Sequence, residues 1–190
     1  LAVLLAGYGV TCALLGICAV LWYNAIYAGL KRVTAFAALP GAVVGAIPPV
    51  IGWVAGGGDV ISKEAMALAF FFFIWQVPHF WILLLGYAED YAKAGLPSLL
   101  EVFTREQMAR MTFVWIAAAT AASFLIPFFG AMDSLYVAAA LIVAGFWLVG
   151  WVWKHVSGGW GEADFHALFR SLNAYALLVI VLISLNSFWL

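Results

Sequence analysis

The chain alternates between long apolar runs and short polar breaks, and the runs set the elements. Predominantly hydrophobic stretches cover residues 10–28, 36–54, 65–85, 112–129, 135–153 and 169–188. Each is close to the ~20 residues that a helix needs to cross about 30 Å of hydrocarbon. No water satisfies the backbone in lipid, so stretches of this length are helical. Residues 1–6 read as the tail of an earlier span that turns at Gly7-Tyr8-Gly9. The predicted fold is all-α, a polytopic transmembrane helical bundle with six spans.

Composition removes whole classes of function. With 67% hydrophobic and 9% charged residues, and a mean hydropathy of +1.10, a soluble domain is excluded. Eight Lys and Arg cannot build the basic surface a nucleic acid needs, so no nucleic-acid partner is expected. Several of the ten Trp lie near predicted span ends, as in an interfacial belt. Cys12 and Cys18, six apart in one span, face different sides of a helix and lack zinc-site spacing. Both read as small packing residues. Leu1 is not an initiator methionine and no charged segment precedes the first run, which does not look like a signal peptide. Further residues are expected upstream.

The charges sort by side. Alternating spans put Lys31, Arg32, Lys93, Arg105, Arg110, Lys154 and Arg170 at one face and only Lys63 at the other. The positive-inside rule makes the first face cytoplasmic. Glu89 and Asp90 share that face with Lys31 and Arg32. On the opposite face, Gly56-Gly57-Gly58-Asp59 and Gly130-Ala131-Met132-Asp133 read as structural turns. The longest connection, residues 86–110, holds most of the polar chemistry. Val102-Phe103-Thr104-Arg105 within it could also lie as an amphipathic segment at the interface.

Two features of the third run point to chemistry. Pro78 and His79 occupy its middle, and Glu89 and Asp90 stand side by side at its end. If the helix continues to Asp90, the eleven-residue gap puts His79 about 20° from Asp90 in azimuth and about 16 Å deeper. Glu89 then points roughly 80° away, so the carboxylates flank one groove. Carboxylates of this kind hold Mg²⁺, which bridges to phosphate, and the Lys31-Arg32 pair can neutralise a diphosphate. The competing reading is that these charges only anchor helix ends.

Ionisable residues inside a membrane are functional by default, so His79 is a contact for a polar or metal-bearing substrate. A bond to a neighbouring helix is the alternative, and Gln76 and His79 could satisfy the carbonyl of Ile74 that Pro78 frees. Pro40-Gly41 and Pro48-Pro49, with Gly45 and Gly52, suggest a broken helix with close neighbours. Gly158-Gly159-Trp160-Gly161, with His155, Glu162, Asp164 and His166, reads as a solvated loop. Asn173 and Asn186 read as interhelical hydrogen-bonding residues.

Four segments carry a family resemblance. Tyr27-Ala28-Gly29-Leu30-Lys31-Arg32-Val33-Thr34 and Gly45-Ala46-Ile47-Pro48-Pro49-Val50-Ile51-Gly52-Trp53 come first. Trp75-Gln76-Val77-Pro78-His79-Phe80 and Glu89-Asp90-Tyr91-Ala92-Lys93-Ala94-Gly95-Leu96-Pro97 follow. In order and spacing they resemble the protoheme IX farnesyltransferases (heme O synthases), a family of UbiA-type intramembrane prenyltransferases. The resemblance covers nearly the whole chain, by hydropathy more than by motif in the last two spans. Ala88 and Ser98 depart from it, the usual residues there being basic and Met, as does Leu100-Glu101.

The resemblance implies a nine-helix fold in which these spans are the fourth to ninth, so that residues 1–190 form the C-terminal two-thirds of one prenyltransferase domain. It implies farnesyl diphosphate as donor, heme B as acceptor and Mg²⁺ as cofactor. Glu89 and Asp90 become metal-binding and catalytic residues, with Lys31 and Arg32 catalytic beside the diphosphate and His79 against heme. Tyr27, Gln76, Tyr91 and Lys93, inside the same segments, join as substrate-binding residues. A bacterial inner-membrane location follows, with the active site on the cytoplasmic side and heme A synthase or a terminal oxidase assembly as a possible partner. The family's first acidic motif has no counterpart here. The chain is therefore a fragment, is completed by a partner chain, or has lost catalysis, and alone it is expected to be inactive. Another aromatic acceptor such as a quinone precursor, or a non-catalytic scaffold or transporter half, are the rival readings.

Overall fold

A computed structural model describes residues 2–157 and 162–186. Its long helices are α1 (Ala2–Leu21), α2 (Ala38–Ala55), α3 (Lys63–Gly86), α5 (Arg105–Ser123), α6 (Leu135–Ser157) and α7 (Glu162–Asn186), with a short α4 (Ala88–Lys93) after α3. There is no strand among the described residues. Six segments are long and apolar enough to cross a membrane: Leu4–Leu30, Ala35–Ala55, Lys63–Gly86, Arg105–Phe128, Leu135–Ser157 and Phe165–Asn186. The all-α, six-span expectation holds.

The helices make a closed ring and an arm. α3 packs on α2, α5 and α7, while α5 packs on α6 and α6 on α7, which closes the ring α3–α5–α6–α7. α1 packs on the outer side of α2. α3 is central because it is apolar all round, burying Phe71, Phe72, Val77, Trp81, Ile82 and Leu85. Several polar groups pair across helices, whereas the buried Trp81 Nε1 and Thr112 Oγ1 have no partner among the described residues. The Ser123 and Tyr175 hydroxyls meet at 2.6 Å, and Trp75 Nε1 donates to the Leu172 carbonyl at 3.1 Å. Asn186 Oδ1 accepts from the amides of Asp133 and Ser134, tying the end of α7 to the start of α6. Asn173 bonds across helices too, to His79, so both asparagines act as expected.

Several local expectations are corrected. The break expected at residues 7–9 is present as a kink between two helical pieces, with Gly9 at φ +87° and ψ 174°, although residues 4–30 together are long and apolar enough to count as one span. α2 is not broken: it runs through Pro48 and Pro49. A Cβ added at Gly52 would meet nothing within 4 Å, whereas Gly45 does pack closely. α5 starts seven residues before the predicted 112. The Thr104 hydroxyl accepts from the Gln107 amide while Gln107 Oε1 accepts from the Thr104 amide, a capping box that fixes the start. Val102-Phe103-Thr104-Arg105 leads into that helix start. Both cysteines are free; Cys12 is buried and its thiol approaches the Ile51 carbonyl, but Cys18 is exposed and packs no core. The glycine turns hold, with Gly57 and Gly130 at positive φ. Gly158-Gly159-Trp160-Gly161 lies outside the described residues.

Candidate functional site

The site begins where the first span ends. After Leu21 the backbone widens into a π-helical turn, Trp22–Tyr27, anchored by Trp22 Nε1 donating to the Pro40 carbonyl at 2.7 Å. Such turns are rare and often functional. Nothing in the residue pattern announces this one. Beyond it, the Tyr27 ring lies against Gly41, where any side chain would collide with it, and stacks on Phe80 with centroids 5.7 Å apart. Lys31 Nζ sits 6.0 Å from the Tyr27 ring centroid.

These residues enclose a cavity of 230 Å³ at the Lys31 end of the bundle. Lys31 and Thr34 give it polar edges, and Tyr27, Phe80, Leu83, Tyr87, Tyr91 and Pro97 give it apolar and phenolic walls. A second cavity of 220 Å³ is lined by Glu89, Asp90, Arg105 and His166. Tyr87 lines both, so cationic and anionic groups occupy neighbouring chambers about one residue.

The sequence placed Glu89 and Asp90 on a continuation of α3 above His79. The structure corrects this. α3 stops at Gly86, Tyr87 leaves helical geometry at φ −112° and ψ 24°, and a separate helix, α4, begins at Ala88. The azimuth argument therefore fails, because it needs one unbroken helix. Arg32 is exposed and absent from both linings, while Arg105 and His166 join the carboxylates. The sequence treated these last two as a topology marker and a loop residue. Only the fold brings the start of α5 and the start of α7 to α4.

Glu89 and Asp90 are 90% and 71% exposed, and Lys93 Nζ lies 3.8 Å and 3.9 Å from them. Ion pairs this exposed contribute little stability. Among the described residues no three His, Cys, Asp or Glu side chains stand close enough to hold a metal ion. Two exposed carboxylates still fit one kind of ion, Mg²⁺, which keeps water or phosphate in most of its shell. They do not fit a closed protein cage.

His79 faces the ring. Its Nδ1 lies 3.1 Å from Asn173 Oδ1, and Asn173 Nδ2 donates to the Phe169 carbonyl at 2.8 Å. With that amide orientation Oδ1 accepts and Nδ1 carries the hydrogen. Trp75 and Phe169 flank the ring at 4.7 Å and 4.9 Å. The bond runs to α7, not to the carbonyl freed by Pro78. His79 is absent from the linings of both small cavities. Gln76 packs on Gly45 and lines a larger space of 930 Å³ between α2, α3 and α7, with Trp53, Phe72 and Trp75.

The UbiA prenyltransferase family model matches residues 1–187. Among similar proteins is the Protoheme IX farnesyltransferase of Geobacter sulfurreducens, 44% identical over 128 residues, covering 67% of this chain and 47% of that protein. That of Nitratidesulfovibrio vulgaris strain DP4 is 39% identical over 141 residues, 74% of this chain and 49% of that protein. That of Gloeobacter violaceus is 33% identical over 190 residues, the whole of this chain and 62% of that protein. The chain thus spans about half the length of the first two. No solved structure matches it. With six spans and a family match along nearly its whole length, the chain is a multi-pass integral membrane protein that belongs to the UbiA prenyltransferase family.

Proposed function

We propose that this protein transfers a farnesyl group from farnesyl diphosphate to a vinyl group of heme B, forming heme O. The observation that carries this reading is the 230 Å³ cavity with a cation at its edge and aromatic walls behind it. That polarity suits an amphiphile with an anionic head and an apolar tail. The names of the similar proteins support heme as acceptor.

In this reading Lys31, at the cavity edge, faces the diphosphate and lowers the cost of the negative charge that grows as the carbon–oxygen bond breaks, while Arg32, outside the lining, adds its charge from the neighbouring surface. Glu89 and Asp90 would hold Mg²⁺, which would supply charge neutralisation for the departing diphosphate. The bonding pair leaves with the diphosphate, and the allylic cation faces the rings of Tyr27 and Phe80, which stabilise positive charge and keep water away. The vinyl group supplies the electron pair for the new carbon–carbon bond, and water then adds to the resulting cation and loses a proton. Tyr91 and Lys93 extend the binding surface, and His79, held by Asn173, is turned towards heme. No side chain acts as a nucleophile. The excess of Lys and Arg at the Lys31 end supports a reaction on the cytoplasmic side.

The test is heme extraction and mass analysis after expressing the gene that encodes this chain in a host lacking heme O. Farnesylated heme is expected, and its absence with the protein present in the membrane would contradict the proposal.

A further inference from the structure

The seam between α6 and α7 carries a charge that nothing in the bundle answers. Arg170 lies inside the apolar span Phe165–Asn186, and its side chain is exposed. Among the described residues the ion pairs are those of Lys93 with Glu89 and Asp90, and no carboxylate reaches Arg170. A charge left within a span is costly and marks a site by default. Arg170 Nε donates to the His166 carbonyl at 3.3 Å, which turns the guanidinium back towards the start of α7. Beside it runs an apolar groove of 270 Å³. Arg170, Ala174 and Leu178 line one wall, within about 80° of one another and over about 12 Å of helix. Ala144 and Trp147 of α6 form the facing wall, and Ser171 adds a hydroxyl next to Arg170. Trp147 is 62% exposed and Leu177, beside Leu178, is 61% exposed, so the groove opens towards hydrocarbon, not water.

We propose that this groove binds one anionic phospholipid, with its phosphate on Arg170 and an acyl chain laid along Ala174, Leu178 and Ala144. The planar fork of arginine meets phosphate oxygens bidentately, and the His166 contact leaves the Nη donors to do so. Basic side chains between transmembrane helices at the positive face typically hold anionic headgroups. Ser171 donates to a second headgroup or ester oxygen. A zwitterionic lipid brings its own cation to the same place and gains less from Arg170. A water-soluble phosphate would leave the apolar groove unfilled, so the occupant is a lipid. No residue lines both this groove and the 230 Å³ cavity, and the site does not depend on how that cavity is used.

Native mass spectrometry of the full chain, released from nanodiscs of equal phosphatidylglycerol and phosphatidylcholine, reads the site. Wild type should retain one phosphatidylglycerol in preference to phosphatidylcholine. Arg170→Gln should lower that preference about fivefold, the scale of one basic side chain at an anionic lipid surface. Ala174→Phe fills the groove from an exposed position and should lower retention of both lipids. Arg110→Gln removes a charge at the same membrane face that does not line the groove, and should change nothing. Equal losses in Arg110→Gln and Arg170→Gln would overturn the proposal, because the attraction would then belong to the whole basic face. A preference that survives both Arg170→Gln and Ala174→Phe would overturn it as well. So would displacement of phosphatidylglycerol by farnesyl diphosphate, which would make the groove part of a substrate path. Should Ala174→Phe not fold, the two arginine variants decide.

Discussion

The ring α3–α5–α6–α7 and the arm α1–α2 are held together by different means. The ring buries large side chains and ties its helices with three polar pairs, Ser123–Tyr175, His79–Asn173 and Trp75–Leu172. The arm meets the ring mainly through small residues on α2 that let helices approach, and its first span is 11% buried against 44% for α3. The candidate site straddles the two. Tyr27 and Lys31 come from the end of the first span, while Phe80, Tyr87, Glu89 and Asp90 follow from α3. The more buried ring helix α3 carries Phe80 and leads into the carboxylates, while the less buried arm positions the cation.

Substitutions can break this contrast in graded steps. The largest effect is expected for Trp81→Ala in the ring, since Trp81 is 2% exposed and packs edge-on against Trp115. It should lose about 3–5 kcal/mol of stability, measured by unfolding in mixed micelles. Val20→Ala on the lipid-facing arm, where Val20 is 61% exposed, should stay within about 0.5 kcal/mol. Asp90→Asn should lower prenyl transfer by about 10²–10³-fold with little change in stability, because the side chain is exposed and, on the proposed function, its loss removes a Mg²⁺ ligand beside the leaving group.

Smaller effects sharpen the picture within the arm. Gly45→Ala should cost about 1–3 kcal/mol, as its Cβ would collide with Gln76. Gly52→Ala, with open space around it, should instead gain about 0.4–1 kcal/mol by stiffening the unfolded chain. Equal responses at the two glycines would mean that α2 does not pack as described. A similarly small loss is expected in the ring for Asn173→Ala, about 0.6 kcal/mol, typical of a hydrogen bond between membrane helices.

Much of the fold was legible because lipid imposes one solution on a 20-residue apolar run. The six spans, the glycine turns and the bonding roles of Asn173 and Asn186 follow from run length, backbone freedom and the cost of unpaired amides. The start of α5 was legible too: Thr104 and Gln107 are a capping box in the letters of the chain, and hydropathy alone hides it because Arg105 and Glu106 are charged. Other features were out of reach. The π-turn at Trp22–Tyr27 has no residue signature, and the stop at Gly86 depends on how Tyr87 is accommodated. The grouping of Arg105 and His166 with Glu89 and Asp90 joins three elements far apart in sequence. Residue type suggested which side chains matter, but only packing says which of them meet.

The most direct test of the account is Mg²⁺-dependent binding of farnesyl diphosphate by the protein in lipid nanodiscs, comparing wild type with Lys31→Ala in the arm and Asp90→Asn after the ring helix α3. The account predicts that Mg²⁺ strengthens binding, that each substitution weakens it by at least about tenfold, and that Asp90→Asn also removes the response to Mg²⁺. Binding that ignores Mg²⁺ and survives both substitutions would contradict it.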